Sequence, residues 1–218
     1  MGFEVLKAVI FDYNGVLVND LRIHTEAYVL AGKSVGIPLT RETVRKFASY
    51  AHEQKRKPLY GEISDETWEE ISRLKTRFYF DLADKEDVVF PDVETVLTSL
   101  SRRYTLALIS NTRRENFDRV FPRKLASLFT VTLFIDDVEK PKPSPDLLLK
   151  MMERLGIHAN QCCYVGDSVL DIQMAKTLGV KVFSVATGDN SKDELQAAGA
   201  DLVFDSLSEL KETWEDVG

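Results

Sequence analysis

The sequence predicts an α/β fold: a parallel sheet covered by helices on both faces, with an all-helical segment inserted after the first strand. Three observations predict it. Short apolar runs recur at 8–11, 105–109, 130–135, 162–165, 181–185 and 201–204, the pattern of strands buried on both faces. Helical periodicity fills the gaps between the later runs, at 93–102, 114–121, 145–155, 170–178 and 192–198. Strand–helix alternation of this kind builds a parallel sheet. Between about residue 20 and residue 88 the alternation stops, and only helical patterns remain.

Bulk properties narrow the function classes. A chain of 218 residues can bury one good core and carry a smaller second domain. A net charge of −7 argues against a nucleic-acid partner, which needs a basic face. The apolar runs are too short to span a bilayer, so no membrane partner is expected. Met1-Gly2-Phe3-Glu4 leads into the first strand without a basic start and an apolar stretch, so no secretory leader is expected. The two cysteines, Cys162 and Cys163, are adjacent and cannot readily pair in ordinary disulfide geometry. At the entry to an apolar run they read as buried structural thiols, in a reducing, cytoplasmic setting.

The elements follow in order. Val9, Ile10 and Phe11 form the first strand, which ends on Asp12, with Gly15 in the tight turn beyond. A carboxylate at that strand end is either a helix cap or a functional charge. In the insertion, Ile23, Ala27, Leu30 and Ala31 share one face of a first helix. Thr40 caps a second through Val44, Phe47 and Ala48, with Glu42 and Glu69 supporting helix starts. Asp65 opens a third with Trp68, Ile71, Leu74, Phe78 and Leu82 at helical spacing. Pro91 returns the chain to the sheet. Gly156, Gly179 and Gly199 each close a helix before a strand. The expected division is a core of 1–18 with 91–218 and a helical domain of 19–90, either a lid hinged near 18–20 and 88–91 or a passive subdomain.

Four strand ends carry chemistry. Asp12 is the first. Ser110-Asn111-Thr112 is the second, a set of donors suited to an anion, although either hydroxyl could simply cap the next helix. The third is Lys140-Pro141-Lys142-Pro143-Ser144-Pro145, where alternating prolines predict an extended segment that aims a lysine at a fixed point. The fourth is Gly166-Asp167 with Asp171 one helical turn on. Clustered acids beside Asp12 repel unless a cation neutralises them, and hard oxygen donors suit Mg²⁺.

Together these motifs resemble the haloacid dehalogenase superfamily, in the branch with a small helical cap that includes phosphoglycolate phosphatase-like and β-phosphoglucomutase-like proteins. The resemblance covers essentially the whole chain and implies a Rossmann-like core with an inserted helical cap. It also implies a phosphatase acting on a small phosphorylated metabolite. Asp12 would be the nucleophile, forming an aspartyl-phosphate. Asp12, Asp167 and the backbone carbonyl of Asn14 would hold Mg²⁺, and Asp171 would sit behind them, holding metal waters or orienting Lys142. Ser110 and the Asn111 amide would grip the phosphoryl group, and Lys142 would neutralise its charge. Tyr13 and the turn through Gly15 would form a flexible loop beneath the cap. His24 matches a position at the site entrance, and Lys55-Arg56-Lys57 falls near the expected substrate-selecting loop. That basic run reads either as a reader of an anionic substrate end or as a solvated helix face.

One residue departs from the family pattern. Phosphatases of this family usually carry Asp two residues after the nucleophile, and this chain has Asn14, which cannot transfer a proton. The sequence admits a slow or leaving-group-selective phosphatase, an impaired relative that binds phosphorylated ligands, or an engineered Asp-to-Asn trap. A 2-haloacid dehalogenase is a weaker alternative, because it would leave the acids Asp167 and Asp171 without a cation. A phosphonate-cleaving enzyme would need a cap lysine, for which Lys33 is the candidate.

Overall fold

A computed structural model describes residues 6–216. Met1-Gly2-Phe3-Glu4, the start in which no leader is expected, lies outside the described residues. The chain divides into two compact units, one of Met1–Asn19 with Val89–Gly218 and one of Asp20–Val88. The helices of the second unit are α1 (Leu21–Ser34), α2 (Arg41–Arg45), α3 (Arg56–Tyr60) and α4 (Asp65–Ala83). The first unit carries α5 (Val93–Leu100), α6 (Arg114–Val120), α7 (Arg123–Ala126), α8 (Asp146–Leu155), α9 (Val169–Thr177), α10 (Lys192–Ala197) and α11 (Leu207–Asp216).

The strands are β1 (Ala8–Phe11), β2 (Thr105–Ser110), β3 (Phe129–Phe134), β4 (Cys162–Gly166), β5 (Lys181–Val185) and β6 (Leu202–Phe204). All pair in parallel, in the order β3-β2-β1-β4-β5-β6. This is the Rossmann-like α/β sheet that the apolar runs predict. After β3 the chain crosses back to lay β4 on the free side of β1, so the strand order reverses between β1 and β4. Open α/β sheets bind ligands at the carboxyl ends beside such a reversal. The register makes these ends level. Phe11 pairs with Leu108 and with Val165, so Asp12, Ser110 and Asp167 all emerge within two residues of the same height.

Burial on both faces explains the apolar runs. Ala8 and Ile10 pack into a core with Leu147, Met151, Ile172 and Leu195 from α8, α9 and α10. Val9 and Phe11 point to the opposite face by the two-residue period of a strand, and both are fully buried. Burying each such side chain contributes about 1.5–3 kcal/mol, which fixes the strand end from which Asp12 projects. Tyr13 is fully buried as well, with Phe117 and Phe121 at 5.3 and 5.7 Å edge-on to its ring. Three backbone hydrogen bonds close the turn from Tyr13 to Val18. Gly15 N–H donates to the Val18 carbonyl, and Leu17 and Val18 N–H donate to the Tyr13 carbonyl.

In the helical unit, Tyr28, Ala31, Val44, Trp68, Ile71 and Leu74 form the core. Thr40 caps α2 as expected, accepting the Thr43 N–H at 3.1 Å. That helix stops at Arg45 rather than continuing to Ala48, because Phe47 and Ala48 N–H turn to carbonyls three residues back. Asp65 opens α4 as expected, with Ser64 as its cap, and Glu69 lies outside the first turn. Toward the end of α4 the buried positions shift to Lys75 and Tyr79, leaving Phe78 and Leu82 half-buried.

Tyr79 is fully buried and donates through its hydroxyl to the equally buried Asp20 Oδ2 at 2.7 Å. Hydrogen bonds to charged groups are worth about 1.5–3 kcal/mol. Tyr79→Phe is therefore expected to lower the unfolding free energy by about 1.5–3 kcal/mol, read as a lower urea midpoint with the slope unchanged. An unaltered midpoint would show that this bond does not hold α4 to the start of α1.

Candidate active site at the carboxyl ends of the strands

The centre of the site is one buried ammonium. Lys142 Nζ lies 2.8 Å from Asp12 Oδ2 and 2.7 Å from Asp171 Oδ1, and its side chain is 4% exposed. Lys140, two residues earlier, is exposed. The segment that delivers Lys142 is a turn rather than the extended run its prolines suggested. Ser144 N–H closes onto the Pro141 carbonyl at 2.9 Å, and the Lys142–Pro143 peptide is cis. The Asn111 side chain fixes that turn from β2: its Oδ1 accepts the Lys142 N–H at 2.8 Å, and its Nδ2 donates to the Lys142 carbonyl at 3.3 Å.

Asp171 is fully engaged. Oδ1 accepts from Lys142 and from the Tyr164 hydroxyl at 2.9 Å. Oδ2 accepts the Ser168 N–H at 3.1 Å and the Ser168 hydroxyl at 2.6 Å. Ser168 in turn caps α9, so a reciprocal capping box sets the acid in place. Four donors saturate a carboxylate. Asp171 is thereby committed to aiming Lys142.

Burial sets the electrostatics. It pushes the Asp12 carboxyl up from 3.8 to about 7, with Lys142 opposing and Asp171 adding to the rise. Burial, then Asp171 and Asp12, push Asp167 well above the carboxylate range, against the opposing Asp189 N–H. Burial lowers the Lys142 pKa, but the Asp12 and Asp171 carboxylates outweigh it and hold the ammonium above the ordinary lysine range.

Oxygens of Asp12, Asp167 and Asp171 lie within 4.8 Å of one another. With all three ionised, one ammonium leaves a net double negative charge in a buried space, which is costly without a further cation. With Asp171 saturated, Asp12 and Asp167 are the carboxylates available to a metal. Two hard carboxylates suit Mg²⁺, an ion that keeps several of its waters.

Asp12 does not cap a helix. The next helix begins nine residues later at Leu21, and Asp12 Oδ1 instead accepts the Tyr13 N–H at 2.7 Å. The hydroxyls of the second motif are not caps either, because α6 starts after Arg113. Ser110 is buried at the end of β2, and its hydroxyl donates to Asn14 Oδ1 at 3.4 Å. Asn14, half-buried, thus stands beside the phosphate-binding candidate Ser110.

The candidates of the helical unit have partners within that unit. Lys55 is buried, donates to the Ala48 carbonyl at 2.7 Å and lies 5.2 Å from the centre of the Tyr28 ring. Arg56 donates to the Ile63 carbonyl at 2.8 Å and to Asp65 at 2.7 Å. Lys57 is exposed and pairs with Glu62 at 2.7 Å. The basic run lies on a short 3₁₀ turn and α3. His24 stacks on Tyr79 at 4.3 Å and lies 3.3 Å from Asp20, and burial, with Lys75 adding, lowers its pKa to about 4. It is therefore neutral at ordinary pH. Lys33 is exposed in the last turn of α1, outside the desolvated setting that makes a Schiff-base lysine reactive.

Sequence reasoning missed Tyr164, Ser168 and the segment after β5. Ser168 was open to detection, since Ser-x-x-Asp at 168–171 is a capping signature. Among the described residues no helix is long and apolar enough to cross a membrane.

The chain is similar to known proteins over nearly its whole length. The chain is 28% identical to the phosphoglycolate phosphatase of Escherichia coli strain K12, over 95% of this chain and 92% of that protein. A putative β-phosphoglucomutase from Bacteroides vulgatus superposes with a TM-score of 0.81 at 24% identity, covering 97% of this chain and 88% of its own. A putative phosphoglycolate phosphatase from Lactobacillus plantarum gives 0.83 at 22%, covering 95% and 99%. At such identities the two structures speak for the fold alone. The model of the haloacid dehalogenase-like hydrolases matches residues 9–185, from the second residue of β1 to the last of β5, and by that match the chain belongs to this family.

Proposed function

We propose that the protein is a Mg²⁺-dependent phosphomonoester hydrolase acting on a small phosphorylated metabolite through an aspartyl-phosphate on Asp12. The buried Lys142 ammonium shared by Asp12 and Asp171, with Asp167 alongside, carries this reading. Phosphatase relatives over nearly the full chain support the substrate class. Asp12 Oδ attacks phosphorus, the ester P–O bond breaks, and the alkoxide departs. Water then attacks the aspartyl-phosphate, returning the carboxylate and releasing phosphate, and the proton that water gives up offsets through solvent the one the alkoxide takes up. Lys142 offsets charge on the nucleophile and the phosphoryl oxygens, which is the main work of a phosphoryl-transfer site. Ser110 and the Asn111 N–H hold those oxygens. Asp12, Asp167 and the Asn14 carbonyl would hold Mg²⁺, which supplies further charge neutralisation when bound. Asn14 orients by hydrogen bonding and supplies no proton. A dehalogenase reading would leave the buried acids without their cation and is not favoured.

The helical unit is the proposed cap. Of its basic run, Lys57 can exchange its exposed partner Glu62 for a substrate anion at little cost, because such pairs contribute only about 0–1 kcal/mol. Lys55 and Arg56 hold backbone carbonyls and serve the cap's own structure.

The test is metal dependence. Turnover on a phosphometabolite panel is expected to cease with EDTA and return with Mg²⁺, and turnover indifferent to chelator would remove the metal. Stability supplies a second readout. Burial holds Asp12 at about 7 and raises Asp167 well above the carboxylate range, both from an unfolded value of 3.8. The metal-free folded state therefore holds protons that the unfolded chain releases above about pH 4, and its stability falls as pH rises through about 4–7. Mg²⁺ displaces those protons, so it should raise Tm more at about pH 8 than at about pH 5. Melting curves in EDTA that are flat across this window would contradict the assignment.

A further inference from the structure

The segment after β5, Ala186-Thr187-Gly188-Asp189-Asn190, has no role in the reading above, yet it touches the site at four points. The Thr187 hydroxyl donates to the Gly15 carbonyl at 2.6 Å. The Asp189 N–H donates to Asp167 Oδ2 at 3.1 Å. Asn190 Oδ1 accepts the Val169 N–H at 3.1 Å, at the start of the helix that follows Asp167. Gly188 lies so close to Asp167 that a Cβ on it would fall 1.7 Å from Oδ2. Gly15, at φ +76°, is nearly as close, with an ideal Cβ 2.4 Å from the same oxygen. The Asp167 carboxylate thus rests against two α-carbons from two separate loops, and the Thr187 hydrogen bond ties those loops together.

We propose that Thr187 is a positioning residue: it clamps the Gly15 and Gly188 loops around Asp167 and so presets that carboxylate for Mg²⁺. The proposal rests on the Mg²⁺ reading above. An aspartate χ2 is otherwise broad, and a carboxylate that must be reoriented on binding loses affinity. Groups that orient a metal ligand typically account for about 10–100-fold in affinity. Thr187 and Gly15 are far apart in sequence, so nothing local in the chain marks the pair.

The experiment is calorimetric titration of the full chain with MgCl₂, with melting curves to establish that each variant is folded. Thr187→Val is expected to raise the Mg²⁺ Kd about 10–100-fold, and Thr187→Ser, which keeps the hydroxyl, to return it to within about threefold of the parent. Gly188→Ala, which leaves every hydrogen-bonding group in place but puts a methyl on Oδ2, is expected to weaken binding at least as much and stands in if Thr187→Val does not fold. A parent-like Kd in folded Thr187→Val, or in Gly188→Ala where it stands in, overturns the clamp alone. A parent that binds no Mg²⁺ overturns the metal reading and the clamp with it, so the two failures are distinct.

Discussion

Replacing Asn14 by aspartate is expected to raise kcat/KM on alkyl phosphomonoesters by about 10²–10⁴-fold, the range a positioned general acid contributes. Asn14 stands two residues beyond Asp12, half-buried, with the Ser110 hydroxyl directed at its Oδ1. The carboxylic acid is close to isosteric with the amide, so the change fits the same space and keeps an acceptor for Ser110. What it adds is a proton to give to the departing alkoxide and a base to take one from water. An amide has neither.

The gain should depend on the leaving group, and that dependence identifies its cause. A sugar or alkyl alkoxide departs poorly without a proton, whereas a nitrophenolate or an acyl group departs readily. The ratio of variant to parent rate should therefore be largest on alkyl esters and approach unity on nitrophenyl and acyl phosphates. A uniform gain would point to altered binding instead. No gain, with the parent already fast, would mean that another group supplies the proton. No activity in either form, with phosphate-ligand binding retained, would support the binding-protein reading.

The parts of the site that the sequence disclosed are those where burial does the writing. A strand covered on both faces must be apolar throughout, so a charge at its end stands out, as Asp12 and Asp167 do after β1 and β4. Lys142 was legible because prolines bracket it, although they form a turn rather than an extended run. Tyr164 was not, since an aromatic inside an apolar strand reads as core, and only the fold brings its hydroxyl to Asp171. The 187–190 segment was hidden for a different reason. Thr, Gly, Asp and Asn are ordinary loop residues, and their partners lie at Gly15, Asp167 and Val169, chosen by topology and not by sequence neighbours. In the helical unit, periodicity placed α1 and α4 but missed α3, whose cations Arg56 and Lys57 pair with Ile63, Asp65 and Glu62 just beyond its end.

Asp12→Asn is expected to abolish turnover, by at least about 10⁴-fold, as removal of a nucleophile generally does. Its stability should move in the opposite direction under defined conditions. With Mg²⁺ chelated, Asp12 is protonated at about pH 5 and ionised at about pH 8, because its carboxyl titrates near 7. At the lower pH an amide replaces a neutral acid, and the variant should melt close to the parent. At the higher pH it replaces a charge buried beside Asp167 and Asp171, while Lys142 keeps its bond to Asp171. Against that relief stands one lost acceptor, since Asp12 uses both oxygens, one for Tyr13 N–H and one for Lys142. Burial is the largest influence on this carboxyl and Lys142 only the second, so relief should win, and the variant should melt above the parent at about pH 8 in EDTA. Mg²⁺ should then stabilise it less than the parent, because one of the two available carboxylates is gone. An inactive variant whose advantage appears only above the titration of Asp12 separates a charged nucleophile from a merely structural side chain. Turnover equal to the parent would remove Asp12 from the chemistry.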